Sequence, residues 1–124
     1  MILLDTDVCL SLLSGTKKIR DAYGSTVEEV CVPAPCVREL FLAASESDDP
    51  AANRATIEKF LLTVRILNPN LSVLRLAADT QASLAKKGIV PNSVDLLISC
   101  MSRIHGARLI TTNGNRYVFH VKQS

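Results

Sequence analysis

The sequence predicts an α/β sandwich built on a mainly parallel sheet, and three observations predict it. Short apolar runs (Ile2-Leu3-Leu4, Val30-Cys31-Val32, Ile66-Leu67 and Arg108 to Thr111) alternate with longer segments of helical apolar spacing. The chain has 124 residues, which suits one domain, 1–124, around one core. Hydrophobic residues make up 48% of it, enough to fill that core. Parallel strands need crossovers, which group the strand ends on one edge. The ligand site of such a sheet lies at the carboxyl ends of its strands.

Each element has its own signal. Ile2-Leu3-Leu4 is a short buried strand stopped by Asp5. A helix is expected from about Asp7 to Ser14, with Gly15 at its carboxyl end. Lys17 to Gly24 suits a second helical piece. Val30-Cys31-Val32 is the next strand, closed by Pro33, and Pro35 suits the first turn of a helix running to about Ser45. A polar loop over 46–50 precedes a helix presenting Ile57, Phe60, Leu61 and Val64 on one face. Ile66-Leu67 is a brief strand before Asn68-Pro69-Asn70. The next helix starts near Ser72, is expected to present Leu74, Ala77, Ala78, Gln81 and Leu84, and ends at Gly88. Asn92 suits the cap of a helix with Val94, Leu97, Ile98, Met101 and Ile104 on its apolar face, ending at Gly106. Arg108 to Thr111 is a strand, Asn113-Gly114-Asn115 a turn, and Val118 to Val121 a final strand. No internal repeat, linker or low-complexity tract interrupts the pattern.

Composition excludes some functions. With two Tyr, three Phe and no Trp, stacking of bases on aromatic platforms is not the main route to a nucleic acid. Cys9, Cys31, Cys36 and Cys100 have no C-x-x-C spacing and sit among apolar neighbours, so they read as small core residues. Asp5 and Asp7 interrupt the apolar start, so no signal peptide is expected, and no apolar run approaches the ~20 residues of a membrane span. A soluble, cytoplasmic protein without membrane contact is the expectation. The net charge is +2, yet no acid follows Asp95, whereas Arg103, Arg108, Arg116 and Lys122 do. That asymmetry suits a polyanionic partner and equally suits a mixed surface.

The chemistry is expected at the carboxyl edge of the sheet. Asp5 ends the first strand, Glu39 follows the second, Asp95 opens the helix before the fourth, and Asn113 lies just past that strand. Oxygen ligands of this kind suit Mg2+ or Mn2+, and a cation would relieve the mutual repulsion of gathered carboxylates. Each residue also has an ordinary reading. Asp95 alone suits a helix first turn, where the dipole favours an acid. Glu39, between Arg38 and Leu40, reads as a solvated helix residue, Asn113 as a turn residue, and Asp7 as the cap of the first helix. Asp5 is harder to dismiss, because an acid ending a buried strand needs a partner.

Taken together with their neighbours, these residues resemble the PIN-domain family and, within it, the VapC-type toxins of toxin–antitoxin pairs. Met1-Ile-Leu-Leu-Asp5-Thr6-Asp7-Val8 looks like the family's opening strand and first acid. Pro35-Cys-Val-Arg-Glu39-Leu-Phe resembles the helix with its second acid, and Gly88-Ile-Val-Pro-Asn-Ser-Val-Asp95-Leu-Leu-Ile-Ser the segment around the third. His105-Gly-Ala-Arg-Leu-Ile-Thr111-Thr-Asn113 looks like the penultimate strand with its terminal T-x-D or T-x-N. The resemblance implies a PIN-like three-layer sandwich with a mainly parallel sheet of four to five strands. It also implies catalysis by Asp5, Glu39, Asp95 and Asn113, with Mg2+ or Mn2+ held by the three acids and Thr6 and Thr111 in support. Asn113 stands where many relatives carry Asp, so a second ion would be held more weakly. Tyr117 stands where the family carries an aromatic, commonly Phe, which implies a core role.

The function so implied is endoribonuclease action by a VapC-like toxin on RNA such as tRNA or rRNA. A cognate VapB-like antitoxin would inhibit it, and homodimers are usual in the family. The alternatives are a PIN nuclease of RNA processing without an antitoxin, and a catalytically inactive PIN-like binding module. RNA phosphates would be met by some of Arg38, Arg103, Arg108 and Arg116, contacts that are blind to sequence and sensitive to salt.

Overall fold

A computed structural model describes residues 1–15, 28–112 and 114–117. The expected helical piece from Lys17 to Gly24, the final strand from Val118 to Val121, and Asn113 lie outside the described residues. Four strands, β1 (Ile2–Leu4), β2 (Val30–Pro33), β3 (Arg65–Leu67) and β4 (Arg108–Ile110), form one sheet in the order β3-β2-β1-β4. Every pairing is parallel, with Ile2 opposite both Val30 and Arg108, and Leu4 opposite Ile110. Among the described residues the helices are α1 (Thr6–Leu13), α2 (Ala34–Ser45), α3 (Pro50–Leu61), α4 (Leu71–Ala85) and α5 (Ser93–His105), and a short 3-10 turn spans Gly114–Tyr117.

Alternation along β1 divides the core in two. Side chains of a strand point to opposite faces in turn, so Ile2 and Leu4 join Val8, Cys9, Val32, Cys36, Leu40 and Ile57 on the side of α1, α2 and α3. Leu3 joins Cys31, Leu67, Val73, Leu76, Leu96, Cys100 and Met101 on the side of α4 and α5. Helices, sheet and helices thus make the three layers. Ile2, Leu3 and Leu4 have no exposed surface, as a parallel strand covered on both faces requires. All four cysteines are free and buried in these cores.

The structure corrects three sequence expectations. Asp5, not Asp7, caps the first helix: its side chain accepts from the Val8 N–H, so α1 begins at Thr6. Val64 lies beyond the end of α3 at Leu61, although it still packs on the core. In α4 the buried stripe is Val73, Leu76, Ala77, Thr80 and Leu84, whereas Leu74, Ala78 and Gln81 are exposed. The two stripes lie one residue apart and share Ala77 and Leu84, so helical spacing fits both. What chooses between them is the surface already formed by Leu67, Leu96 and Met101, which Val73 and Leu76 meet. Among the described residues, no helix is long and apolar enough to cross a membrane.

Candidate active site

The carboxyl ends of β1, β2 and β4 bring the sequence-identified acids toward one edge. Asp5 follows β1 directly, in extended conformation with φ −78° and ψ 174°, and has no exposed surface. Its own N–H donates to the Ile110 carbonyl at 3.3 Å, which ties the ends of β1 and β4 together. Its Oδ1 accepts from the Val8 N–H at 3.0 Å, satisfying one of the orphan donors of the α1 amino end. Its Oδ2 accepts from the Tyr117 hydroxyl at 3.4 Å. The partner that a buried Asp requires is therefore supplied twice over.

Thr6 and Glu39 extend this arrangement to the second strand. α2 starts directly after β2, whose last paired residue, Pro33, is also the helix N-cap, and Pro35 suits the first turn of the helix. Glu39 lies in its second turn, half-buried, and its Oε1 accepts from the Thr6 hydroxyl at 2.6 Å. Cys36, one turn earlier on the same side of α2, lies behind these groups. Burial pushes its thiol up to about 11, a Thr6 hydrogen bond opposes this, and the charges of Glu39 and Asp5 add to the rise. Cys9 of α1 is pushed up by burial first, then by Cys36 and Asp5. The Thr6–Glu39 bond, with Asp5 beside Thr6 in the chain and Cys36 one turn from Glu39, places these four residues in one neighbourhood.

Asp95 comes from the opposite layer. Asn92 caps α5 by accepting from the Val94 and Asp95 N–H groups at 3.0 and 3.1 Å. Asp95 thereby sits in the first turn, where the helix dipole favours an acid, and is 5% exposed. α5 packs against α2 and against the turn that carries Tyr117. Because it leads directly into the amino end of β4, its own amino end lies toward the carboxyl edge of the sheet. Thr111 follows β4 immediately and is half-buried. Asp7 is half-buried in the first turn of α1.

The arginines divide by position. Arg38 is exposed on α2 beside Glu39. Arg103 is exposed in the last turn of α5, and Arg108 opens β4 opposite Ile2, so both belong to the amino-end edge. Arg108 is moreover paired with Glu28 at 3.0 Å. The Arg116 side chain lies outside the described residues.

Among the described residues, no group of three or more His, Cys, Asp or Glu side chains is gathered in a way that could hold a metal ion. The donors at the edge nonetheless fit Mg2+ or Mn2+ in kind, being carboxylate oxygens. Mg2+ typically takes only one or two carboxylates and fills its shell with water and substrate phosphate. A groove of about 330 Å³ between α1, α2 and α3 is separate from the acids, and its lining, including Leu10, Ala43, Asn53 and Ile57, contains no charged side chain. Sequence reasoning assigned Tyr117 to the core, where its ring does pack, but missed the bond from its hydroxyl to Asp5. The one signal available was a Tyr in a position commonly held by Phe.

Comparison with known proteins identifies the family and the fold. The tRNA(fMet)-specific endonuclease VapC of Shigella flexneri is 23% identical over 93% of this chain and 88% of its own length. Ribonuclease VapC2 of Haemophilus influenzae is 27% identical over 90% of this chain and 85% of its own. The crystal structure of VapBC2 from Rickettsia felis, bound to a DNA fragment from its promoter, superposes with a TM-score of 0.84. That match is at 20% identity and covers 94% of this chain and 91% of the matched one. The PIN domain family model matches residues 2–121, nearly the whole chain, and the chain therefore belongs to the PIN-domain family.

Proposed function

We propose that this chain is a VapC-like toxin, a Mg2+- or Mn2+-dependent endoribonuclease that hydrolyses RNA phosphodiester bonds and is neutralised by a VapB-like antitoxin. The observation that carries the reading is the burial of Asp5 and Asp95, at 0% and 5% exposure, at an edge to which Thr6 also ties Glu39. Buried carboxylates are costly to keep charged unless something compensates them. Asp5 is compensated by two donors and Glu39 by Thr6, which fixes their directions before any ligand arrives. When bound, Mg2+ or Mn2+ supplies stabilisation of phosphoryl charge and a more acidic water.

The remaining work falls to this chain's own side chains. Asp5, Glu39 and Asp95 hold the negative charge that attracts the cation, and Asn113 adds an oxygen without charge. Thr6 keeps Glu39 turned to the edge, with Thr111 placed beside the end of β1. Arg38, exposed next to Glu39, is the arginine best placed to meet an RNA phosphate. The names of the relatives support RNA as substrate, with tRNA the first RNA to try and rRNA the second. Solved neighbours that are toxin–antitoxin complexes support a VapB-like partner. Action in the cytoplasm as a homodimer completes the proposal.

The test is cleavage of RNA by purified protein in Mg2+, in Mn2+ and in EDTA. Cuts with either metal and none in EDTA are expected, as is their suppression by the co-expressed antitoxin. Cuts of equal extent in EDTA would sink metal dependence. A folded protein inert with both metals and free of inhibitor would bring forward the inactive binding module.

A further inference from the structure

Tyr117 joins the last described turn of the chain to the first acid, 112 positions away. Its ring packs against the core cluster that contains Ile2, Leu4 and Val8, and its turn packs against α5. The ring is thus anchored without its oxygen, and Phe would fill the same space. The hydroxyl has a separate task. It donates to Asp5 Oδ2 at 3.4 Å, while Oδ1 is taken by the Val8 N–H at 3.0 Å. Two donors from opposite ends of the sequence therefore fix the plane of one carboxylate. Each carboxylate oxygen has two lone-pair directions, so Oδ2 can accept from the phenol and still offer the other to a cation.

We propose that Tyr117 is a positioning residue of the cation site, its hydroxyl holding Asp5 Oδ2 in the direction that a divalent ion needs. The inference rests on the metal-dependent reading above and goes beyond it by assigning part of the affinity to a residue outside the acid set. Without the hydroxyl, Asp5 keeps its helix-capping bond but gains freedom to turn about it. A cation would then have to restrict that freedom on binding.

Binding of Mn2+ to the purified protein without RNA, followed by the EPR signal of free Mn2+, tests this with Tyr117→Phe. The Kd should rise about tenfold, near the low end for a hydrogen bond to a charged group, with circular dichroism unchanged. The chain has no Trp and two Tyr, so its intrinsic emission is that of tyrosine. Paramagnetic Mn2+ beside Asp5 should quench that emission in the wild type and much less in Tyr117→Phe. An unchanged or tighter Kd in a folded variant, or no quenching in a wild type that binds Mn2+, overturns the assignment. A wild type that binds no Mn2+ overturns the metal-dependent reading and this inference together.

Discussion

The Thr6 hydroxyl donates to Glu39 Oε1 at 2.6 Å, joining residues 33 positions apart. Thr6 opens α1 directly after the first acid, and Glu39 lies in α2 directly after the neighbouring strand. One short bond therefore ties the second acid to the residue that follows the first. Thr6 is itself 7% exposed, so the bond is sheltered from water.

Replacing Thr6 by Val keeps the shape and removes the donor. Loss of this bond should cost about 1–2 kcal/mol in urea unfolding, since the acceptor is charged. RNA cleavage should fall roughly 10- to 100-fold, the usual effect of removing a group that orients a metal-binding carboxylate. Cleavage at the wild-type rate would remove Glu39 orientation from the mechanism.

Two helix caps separate stability from activity. Asn92 caps α5, which carries Asp95, and Asn70 caps α4, which carries none of the site acids, accepting from the Val73 N–H at 2.9 Å. Either Asn→Ala change should cost about 1 kcal/mol. Only Asn92→Ala should also lower cleavage beyond what its stability loss explains. Equal activity in the two variants would contradict the placement of Asp95 at the site.

The arginines make a second separation. Arg38→Ala should weaken RNA binding and lower the salt slope by about 1, as expected for one phosphate contact. Arg108 is paired with Glu28 at the other edge of the sheet, so Arg108→Ala should leave both quantities near wild type. Fluorescence anisotropy at several salt concentrations measures them, and the reverse order would place the RNA on the amino-end edge.

The cysteines predict a pH dependence. Burial is the first cause that raises all four thiols, with Cys36 and Cys100 pushed from 9.0 to about 11. A thiol whose folded pKa is raised contributes stability that is fully present below 9.0. That stability is lost as pH rises toward about 11, because the unfolded chain releases its protons first. Urea midpoints should fall from pH 9 to pH 10.5, less steeply in Cys100→Ala. Thiol reagents at pH 8 should leave the native protein largely unmodified and label all four cysteines in urea.

Much of the fold was legible in the sequence because its strands are short apolar runs with little ambiguity. Ile2-Leu3-Leu4 and Val30-Cys31-Val32 lie inside two-sided parallel strands, whose apolar runs stand out against their polar neighbours. The face of α4 was not legible, since Leu74 and Val73 begin two stripes of equal period and only the opposing surface selects one. The cap of α1 was misjudged by two residues because Asp5 and Asp7 are both suited to it. At the carboxyl edge, residue types and order picked out the candidate acids, but charge alone did not say which arginine shares that edge. Arg38 and Arg108 look alike in sequence, and only strand direction separates their edges. The Tyr117 bond was out of reach for another reason: a contact between residues 5 and 117 has no local signal.

The most direct test compares RNA cleavage by wild type, Asp5→Asn and Asp95→Asn, each shown to be folded, in Mg2+ and in Mn2+. Asn at position 5 can still accept from the Val8 N–H, so α1 keeps its cap while the charge is lost. The account predicts metal-dependent cleavage by wild type and a fall of about two orders of magnitude or more in both variants. Wild-type rates in either folded variant would contradict the assignment of these buried acids to catalysis.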